Sequence, residues 1–312
     1  MKRFLKYSFL AAIVFVSICG KKANNKTYKT KHVVIIVMDG ARYSETWGDS
    51  VHRYIPHIAT QMSKVGIIND QFYNNGYTET TAGHTAMSRG VYQNINNTGQ
   101  ELPQNPSFMQ YWRKLYGSDS TSCWVITSKD KLAVLANCKD SLWHKNYMPA
   151  TDCGVNGNGT GYREDSVTYR HTIEKLSKYH PSLVLVNFKD PDSWGHQNNW
   201  ANYLKGISSC DEYAYRIWEY LQSDPFYKGT TTLFITNDHG RHLNGVADGF
   251  VSHGCTCNGC RHIFLYAFGP DFKQNMIDKQ SRELIDIPAT IAELLHLDMP
   301  KSKGHVMGEL LK

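Results

Sequence analysis

The sequence predicts an α/β fold, a three-layer sandwich built around a mostly parallel sheet. Three observations carry this. Near-continuous apolar, β-branched runs recur along the chain, as strands buried on both faces require. Amphipathic stretches of helical period alternate with them. Three of the runs are followed closely by Asp or by Asp plus His. That is where open α/β sheets gather ligand-binding groups.

The elements follow in order. His32–Met38 (HVVIIVM) reads as a buried strand, and Asp39-Gly40 follows at once. Residues 55–65 read as helix and 66–73 as the next strand. Tyr77-Thr78-Glu79-Thr80 then leads into a short helix closed by Gly90. At such a junction backbone N–H groups lack partners and the helix dipole is positive, so phosphate is held well. Thr80 is the candidate nucleophile; helix capping is the commoner job for a Thr there. Residues 107–116 form an amphipathic helix and 123–127 a strand, followed by Ser128-Lys129-Asp130-Lys131. Lys129 and Lys131 are candidates to meet an anionic substrate, although a solvated loop is the plainer reading.

Residues 137–164, rich in Gly, Asn and aromatics, are too long a loop to be incidental. They are read as a lid or rim over the site. Residues 165–179 are helix and 183–188 (LVLVNF) strand, ending in Pro191-Asp192-Ser193-Trp194-Gly195-His196. Residues 201–222 are a long helix. Residues 231–236 (TTLFIT) are a strand that delivers Asp238-His239-Gly240. Ser252-His253-Gly254 precedes Cys255-x-Cys257-x-x-Cys260. Residues 262–268 form a further strand, and 287–295 a last helix begun by Pro288, whose fixed φ suits a first turn.

Composition bounds the rest. The 312 residues are 41% hydrophobic, enough for one large core, expected over residues 32–312. The formal charge of +6 misleads: eight of the 34 basic residues lie in 1–31, which hold no acid. The remainder carries 26 basic against 28 acidic side chains, near −2, so there is no nucleic-acid footprint. Residues 1–22 read as an export signal, with a basic start and an apolar stretch over 9–18. Cys19 stands where a bacterial lipoprotein would carry its lipid. Residues 23–31 read as a tether. The expected location is the periplasm or the cell envelope, with membrane contact only through that N-terminus. Export permits disulfides. The Cys255, Cys257, Cys260 trio lacks the fourth ligand of a structural zinc site, so disulfides or packing are the expectation.

Asp39, Thr80, Asp192, His196, Asp238, His239 and His253 are the candidate ligands. Carboxylates and imidazoles without thiolate suit zinc or another divalent cation at an open, catalytic site. Seven groups are too many for one tetrahedral ion and about right for two. Two such ions clamp the attacking and leaving oxygens of an in-line displacement and activate a Thr hydroxyl.

In this order the motifs resemble the alkaline phosphatase superfamily, especially its nucleotide pyrophosphatase/phosphodiesterase-like branch. The likeness runs from His32 to the C-terminus. The stretch ending in Asp39-Gly40, Thr78-x-Thr80-x-x-x-His84, Pro191-Asp192-x-x-Gly195-His196, Asp238-His239-Gly240, His253-Gly254 and the closing helix carry it. The resemblance implies one zinc on Asp39, Thr80, Asp238 and His239, and another on Asp192, His196 and His253. It implies a covalent phospho-Thr80, released by water, and a small phosphorylated substrate, mono- or diester. Thr81-Ala82-Gly83 stands where that branch has Phe-Pro-Asn. The run Asn94-Ile95-Asn96-Asn97 is therefore a candidate source of an oxygen-binding amide, Asn97 included, and Arg89 and Arg241 are candidate phosphate ligands, although such arginines are more often structural or solvated. A sulfatase would need a Cys or Ser convertible to an aldehyde, which the Thr80 segment lacks. A phospho-head-group transferase of the same superfamily would normally bring several membrane spans. A non-catalytic exported lipoprotein that binds metal or glycan would need a vestigial site, yet no ligand is missing.

Overall fold

The computed structural model describes residues 26–312. The expected signal and Cys19 lie outside them. The strands are β1 (His32–Met38), β2 (Ile67–Tyr73), β3 (Cys123–Thr127), β4 (Ala150–Cys153), β5 (Leu183–Phe188), β6 (Thr231–Thr236), β7 (His262–Phe268), β8 (Met276–Asp278) and β9 (Arg282–Glu283). The helices are α1 (Thr80–Arg89), α2 (Phe108–Tyr116), α3 (Asp165–Tyr179), α4 (Asp190–His196), α5 (Trp200–Ser223), α6 (Asn258–Arg261) and α7 (Asp286–Leu294). All described strands join one sheet in the order β4-β3-β5-β1-β6-β7-β2-β8, with β9 beside β2. The run from β4 to β6 is parallel. β7 is antiparallel to both its neighbours.

β1 shows why its composition dictates this place. All seven residues are buried. Val33, Ile35 and Val37 pack on one face with Met87 of α1, Phe108 of α2 and Ile291 of α7. Val34, Ile36 and Met38 pack on the other with Leu176 of α3 and Ile207 and Ile217 of α5. Alternate side chains thus serve two cores, which makes three layers. Truncating Ile35 to Ala would cost about 2–5 kcal/mol.

Several expectations need correction. Residues 55–65 make only a short π-type turn at Ile58–Met62. The last helix begins at Asp286 rather than at Pro288. Pro at its third position removes an N–H that had no intrahelical partner anyway. Residues 137–164 divide: Asn158 and Tyr162 line a cavity, as a rim would, while the first part is packed. Cys138 and Trp143 are buried, and Gln110 donates to the carbonyls of Trp143 and Asn146. β4 adds an edge strand to β3. Residues 26–31 are pinned rather than a free tether: Thr30 is buried and its N–H donates to Asp271 at 2.8 Å. Among the described residues, no helix is long and apolar enough to cross a membrane.

Candidate metal centre

β5, β1 and β6 lie parallel and in register, with Met38 beside Phe188 and Val37 beside Thr236. Their C-terminal ends therefore release Asp39, Asp192 and the Asp238-His239 pair at one edge of the sheet. Gly40, at φ +66°, makes the turn after Asp39, and a Cβ there would press on the Asp192 side chain at 2.8 Å. Its N–H donates to Asp238 Oδ1 at 3.1 Å.

Asp39, Asp238 and His239 are fully buried. His239 Nε2 lies 3.6 Å from Asp39 Oδ1 and 3.4 Å from Asp238 Oδ2. Its Nδ1 is 2.8 Å from the Gly240 carbonyl and must donate there, so Nε2 presents a lone pair. That lone pair faces carboxylates, and neither His239 Nε2 nor Asp238 Oδ2 has a hydrogen-bond partner. Unpaired buried acceptors cost about 1–3 kcal/mol each. A divalent cation resolves the conflict.

The other half is built on α4 and a loop. The i, i+4 spacing within α4 sets Asp192 and His196 on one face. Asp192 Oδ1 is 3.3 Å from His196 Nε2 and 3.3 Å from His253 Nε2. The two Nε2 atoms are 3.1 Å apart, and His253 Nδ1 meets the Thr78 carbonyl at 2.7 Å. Two imidazole nitrogens converging on a carboxylate again fit a shared cation. The rings of His239 and His253 stack at 3.8 Å and join the halves. Ligand atoms of Asp39, Asp238 and His239, and likewise of Asp192, His239 and His253, lie within 4.8 Å of one another.

Thr80 is the first residue of α1, and Glu79 occupies the capping position, so Thr80 is not a cap. Lys129 corrects the solvated-loop reading. It is buried, and its ammonium donates to Thr80 Oγ1 at 3.0 Å, Asp39 Oδ1 at 2.9 Å and Asp192 Oδ2 at 2.5 Å. Three carboxylates against the Lys129 ammonium and the Arg241 guanidinium still leave one negative charge in excess. Burial and the Asp238 charge raise the Asp39 carboxyl to about 6. Burial pulls Lys129 down, but Asp192 and Asp39 together hold it above its ordinary value. Burial also pushes Asp192 up, and Lys129 and the two histidines outweigh it to leave the carboxyl well below its usual range. Burial lowers His239 to about 3, the neutral form a metal needs.

Asn97 comes to the same place. Its Oδ1 accepts from the Thr81 N–H, the Thr81 hydroxyl and Lys131 Nζ, each at 3.0 Å. Asn97, Lys131, Asn158 and Tyr162 line a cavity of about 430 Å³ beside the start of α1. Arg89 does not reach it. Its guanidinium bonds the carbonyls of Asn105, Leu135 and Asn137 at the opposite end of α1, so it is a structural pin and not a phosphate ligand. Arg241 serves Asp192 and the carbonyls of Phe250 and Val251, anchoring the segment before His253.

Two residues escaped the sequence reading. Asn187 donates to Asp39 Oδ2 at 2.8 Å and meets His84 Nε2 at 3.2 Å. His84 Nδ1 in turn holds the Thr80 carbonyl at 2.8 Å. A polar Asn within an otherwise apolar strand was the available signal. Gly83 matters by its missing side chain: a Cβ there would stand 2.5 Å from the Asp238 carbonyl oxygen, so only glycine lets α1 lie on the end of β6.

Carboxylates and imidazoles gathered at parallel strand ends define a metal-binding α/β protein. The chain belongs to the Metalloenzyme superfamily, whose family model matches residues 124–299. It is 29% identical over 142 residues to phosphopentomutase of Clostridium novyi (strain NT), covering 45% of this chain and 33% of that one. The match thus spans about a third of that relative's length. A protein in the alkaline phosphatase superfamily from Vibrio parahaemolyticus superposes with TM-score 0.67 at 14% identity, over 92% of this chain and 72% of that one. Murine ectonucleotide pyrophosphatase/phosphodiesterase 5, as an inactive Thr-to-Ala variant with AMP, superposes with TM-score 0.65 at 14% identity, over 90% and 100%. These superpositions establish the alkaline phosphatase-like fold that the motifs implied.

Proposed function

We propose that the chain is a hydrolase of phosphate esters, mono- or diester, with Thr80 as nucleophile. Asp39, Thr80, Asp238 and His239 would hold one divalent ion, and Asp192, His196 and His253 another, with zinc the ion their chemistry suits best. Bound there, the pair supplies positive charge that lowers the pKa of a hydroxyl and clamps phosphoryl oxygens.

The single observation that carries this reading is the reach of Lys129: one buried ammonium touches Thr80 Oγ1 and a carboxylate from each ligand group. Thr80 would lose its hydroxyl proton to solvent and attack phosphorus at the positive end of α1, forming the Thr80–phosphate bond as the bond from phosphorus to the ester oxygen breaks and that oxygen takes a proton from solvent. Lys129 donates to the nucleophilic oxygen and stabilises its developing charge. Lys131 and Asn97, on the cavity wall, receive phosphoryl oxygens. Water then cleaves phospho-Thr80. The inactive Thr-to-Ala form of the murine phosphodiesterase supports a threonine in this role.

A screen of phosphomonoesters, diesters, phosphonates and aryl sulfates, with and without chelator, tests the class. Chelator-sensitive turnover of a phosphate ester is expected, and preference for sulfate would overturn it. Thr80→Ala should lower kcat by roughly 10³-fold or more with the fold intact by circular dichroism. Full activity in that variant removes the nucleophile. The likeness to phosphopentomutase favours a second reading, transfer of phosphate between two oxygens of one sugar phosphate. Product analysis separates the two: hydrolysis releases inorganic phosphate from a monoester or a free alcohol and a monoester from a diester, whereas transfer returns an isomeric sugar phosphate. The reading of residues 1–22 as an export signal supports a location outside the cytoplasm, and cell fractionation tests that.

A further inference from the structure

The cysteine trio has the fourth ligand that the sequence reading did not find. Folding returns the segment after β6 against α6, and His242 arrives opposite Cys255, Cys257 and Cys260. The four ligand atoms lie within 4.8 Å of one another. We propose that Cys255, Cys257, Cys260 and His242 form a structural zinc site, separate from the Asp/His centre and independent of the hydrolase reading.

The thiols are not a disulfide. Cys255 Sγ and Cys260 Sγ stand 3.7 Å apart, against about 2.05 Å for a bonded pair. Two thiolates each about 2.3 Å from one zinc, at the tetrahedral angle, lie about 3.8 Å apart. Cys255 and Cys260 are thus already spaced for zinc, and Cys257 and His242 lie within 4.8 Å of both. Free thiols packed in a core could show such a distance by chance. They would not explain His242.

His242 is only 7% exposed. Its Nδ1 lies 3.0 Å from Asp248 Oδ1, and Ser252 Oγ holds the same oxygen at 2.7 Å. A carboxylate on one ring nitrogen fixes the tautomer and makes the other the basic one, as in metal-bound histidines. The other is Nε2, and it is buried with no hydrogen-bond partner. As packing, this arrangement wastes an acceptor. As a ligand set it is complete. The Cys257 N–H also donates to Cys255 Sγ at 3.2 Å, a bond that favours thiolate.

The backbone is shaped for the closure. The Gly240 N–H donates to the Cys260 carbonyl at 2.8 Å, and a Cβ on Gly240 would collide with the Gly259 carbonyl oxygen. Four protein ligands leave no open position, so the role is structural. The site ties down the segment that carries His253. The Cys255 carbonyl accepts from the Thr78 hydroxyl at 2.8 Å, and the Thr78 carbonyl holds His253 Nδ1 at 2.7 Å.

The test uses the full chain. Metal-free protein titrated with cobalt(II) should develop a thiolate-to-cobalt charge-transfer band in the near ultraviolet whose final amplitude corresponds to about one cobalt–thiolate site per chain. Carboxylate and imidazole ligands alone give no such band. Cys257→Ser and His242→Ala should each abolish or shift it, while Asp192→Asn keeps it. Should those variants fail to fold, wild-type zinc protein decides: a thiol-specific mercurial should release about one zinc per chain. Absence of the band together with no mercurial-released zinc overturns the proposal, as does a disulfide among the three cysteines by mass spectrometry.

Discussion

The two halves of the Asp/His centre are held very differently. Asp39, Asp238 and His239 sit on or directly after the central parallel strands, and none of them touches solvent. Backbone and side-chain donors from Gly40, His239 and Asn187 fix their carboxylates. Asp192 and His196 come from α4, a helix of about two turns, and His253 from a loop. His196 is 48% exposed at its side chain, and His253 is oriented through one carbonyl, that of Thr78. Strand register encloses one half completely, while the other opens to solvent at His196, although its Asp192 and His253 side chains are only 5% and 7% exposed. The enclosed half would suit an ion that stays, the half open at His196 one that exchanges.

Substitutions can break or sharpen this contrast. The largest effect belongs to Asp238→Asn. It should lose about one equivalent of tightly held metal and lower kcat/KM by more than about 100-fold, the upper end for partners that merely orient metal ligands. Excess metal should not restore it, as elemental analysis and assays over a metal series would show. His196→Ala should be milder, weakening one ion about tenfold, with activity regained at high metal. If His196→Ala proves as severe and as unrescuable as Asp238→Asn, the halves are equivalent and the contrast fails. The smallest effect concerns the cavity wall. Burial and the neighbouring Lys129 charge lower the Lys131 ammonium to about 8. Lys131 is charged below that pH and neutral above it, so KM for an anionic ester should rise as pH climbs through about 8. Lys131→Met should flatten that limb and raise KM by roughly tenfold or more at neutral pH, the worth of a charge-assisted hydrogen bond.

Much of this was legible in the chain because it is local. Buried β-branched runs announce strands, and acids just beyond them announce the site, since parallel strands end at one edge. Asp39, Asp238 and His239 were found that way. What escaped depends on distant pairing. Lys129 follows β3 as Asp39 follows β1, yet a lysine in a polar tetrapeptide looks solvated until β3 is laid beside β5. Arg89 is the opposite case: it lies on the helix that Thr80 begins, but a helix carries its two ends apart, and the plainer structural role is the one it fills. Edge strands β4, β8 and β9 are too short to leave a period. His242 joins three cysteines more than a dozen residues away, a partnership no spacing rule reveals.

The seat of α1 on β6 at Gly83 has a consequence for how such a protein can change. Where only a hydrogen atom fits between helix and strand, the standoff of Thr80, the proposed nucleophile, is mechanically set. New chemistry at the leaving group must then come from the rim, by exchange at positions such as Asn158 and Tyr162. Diversity accumulates around the bed of the reaction, while the bed keeps its dimensions.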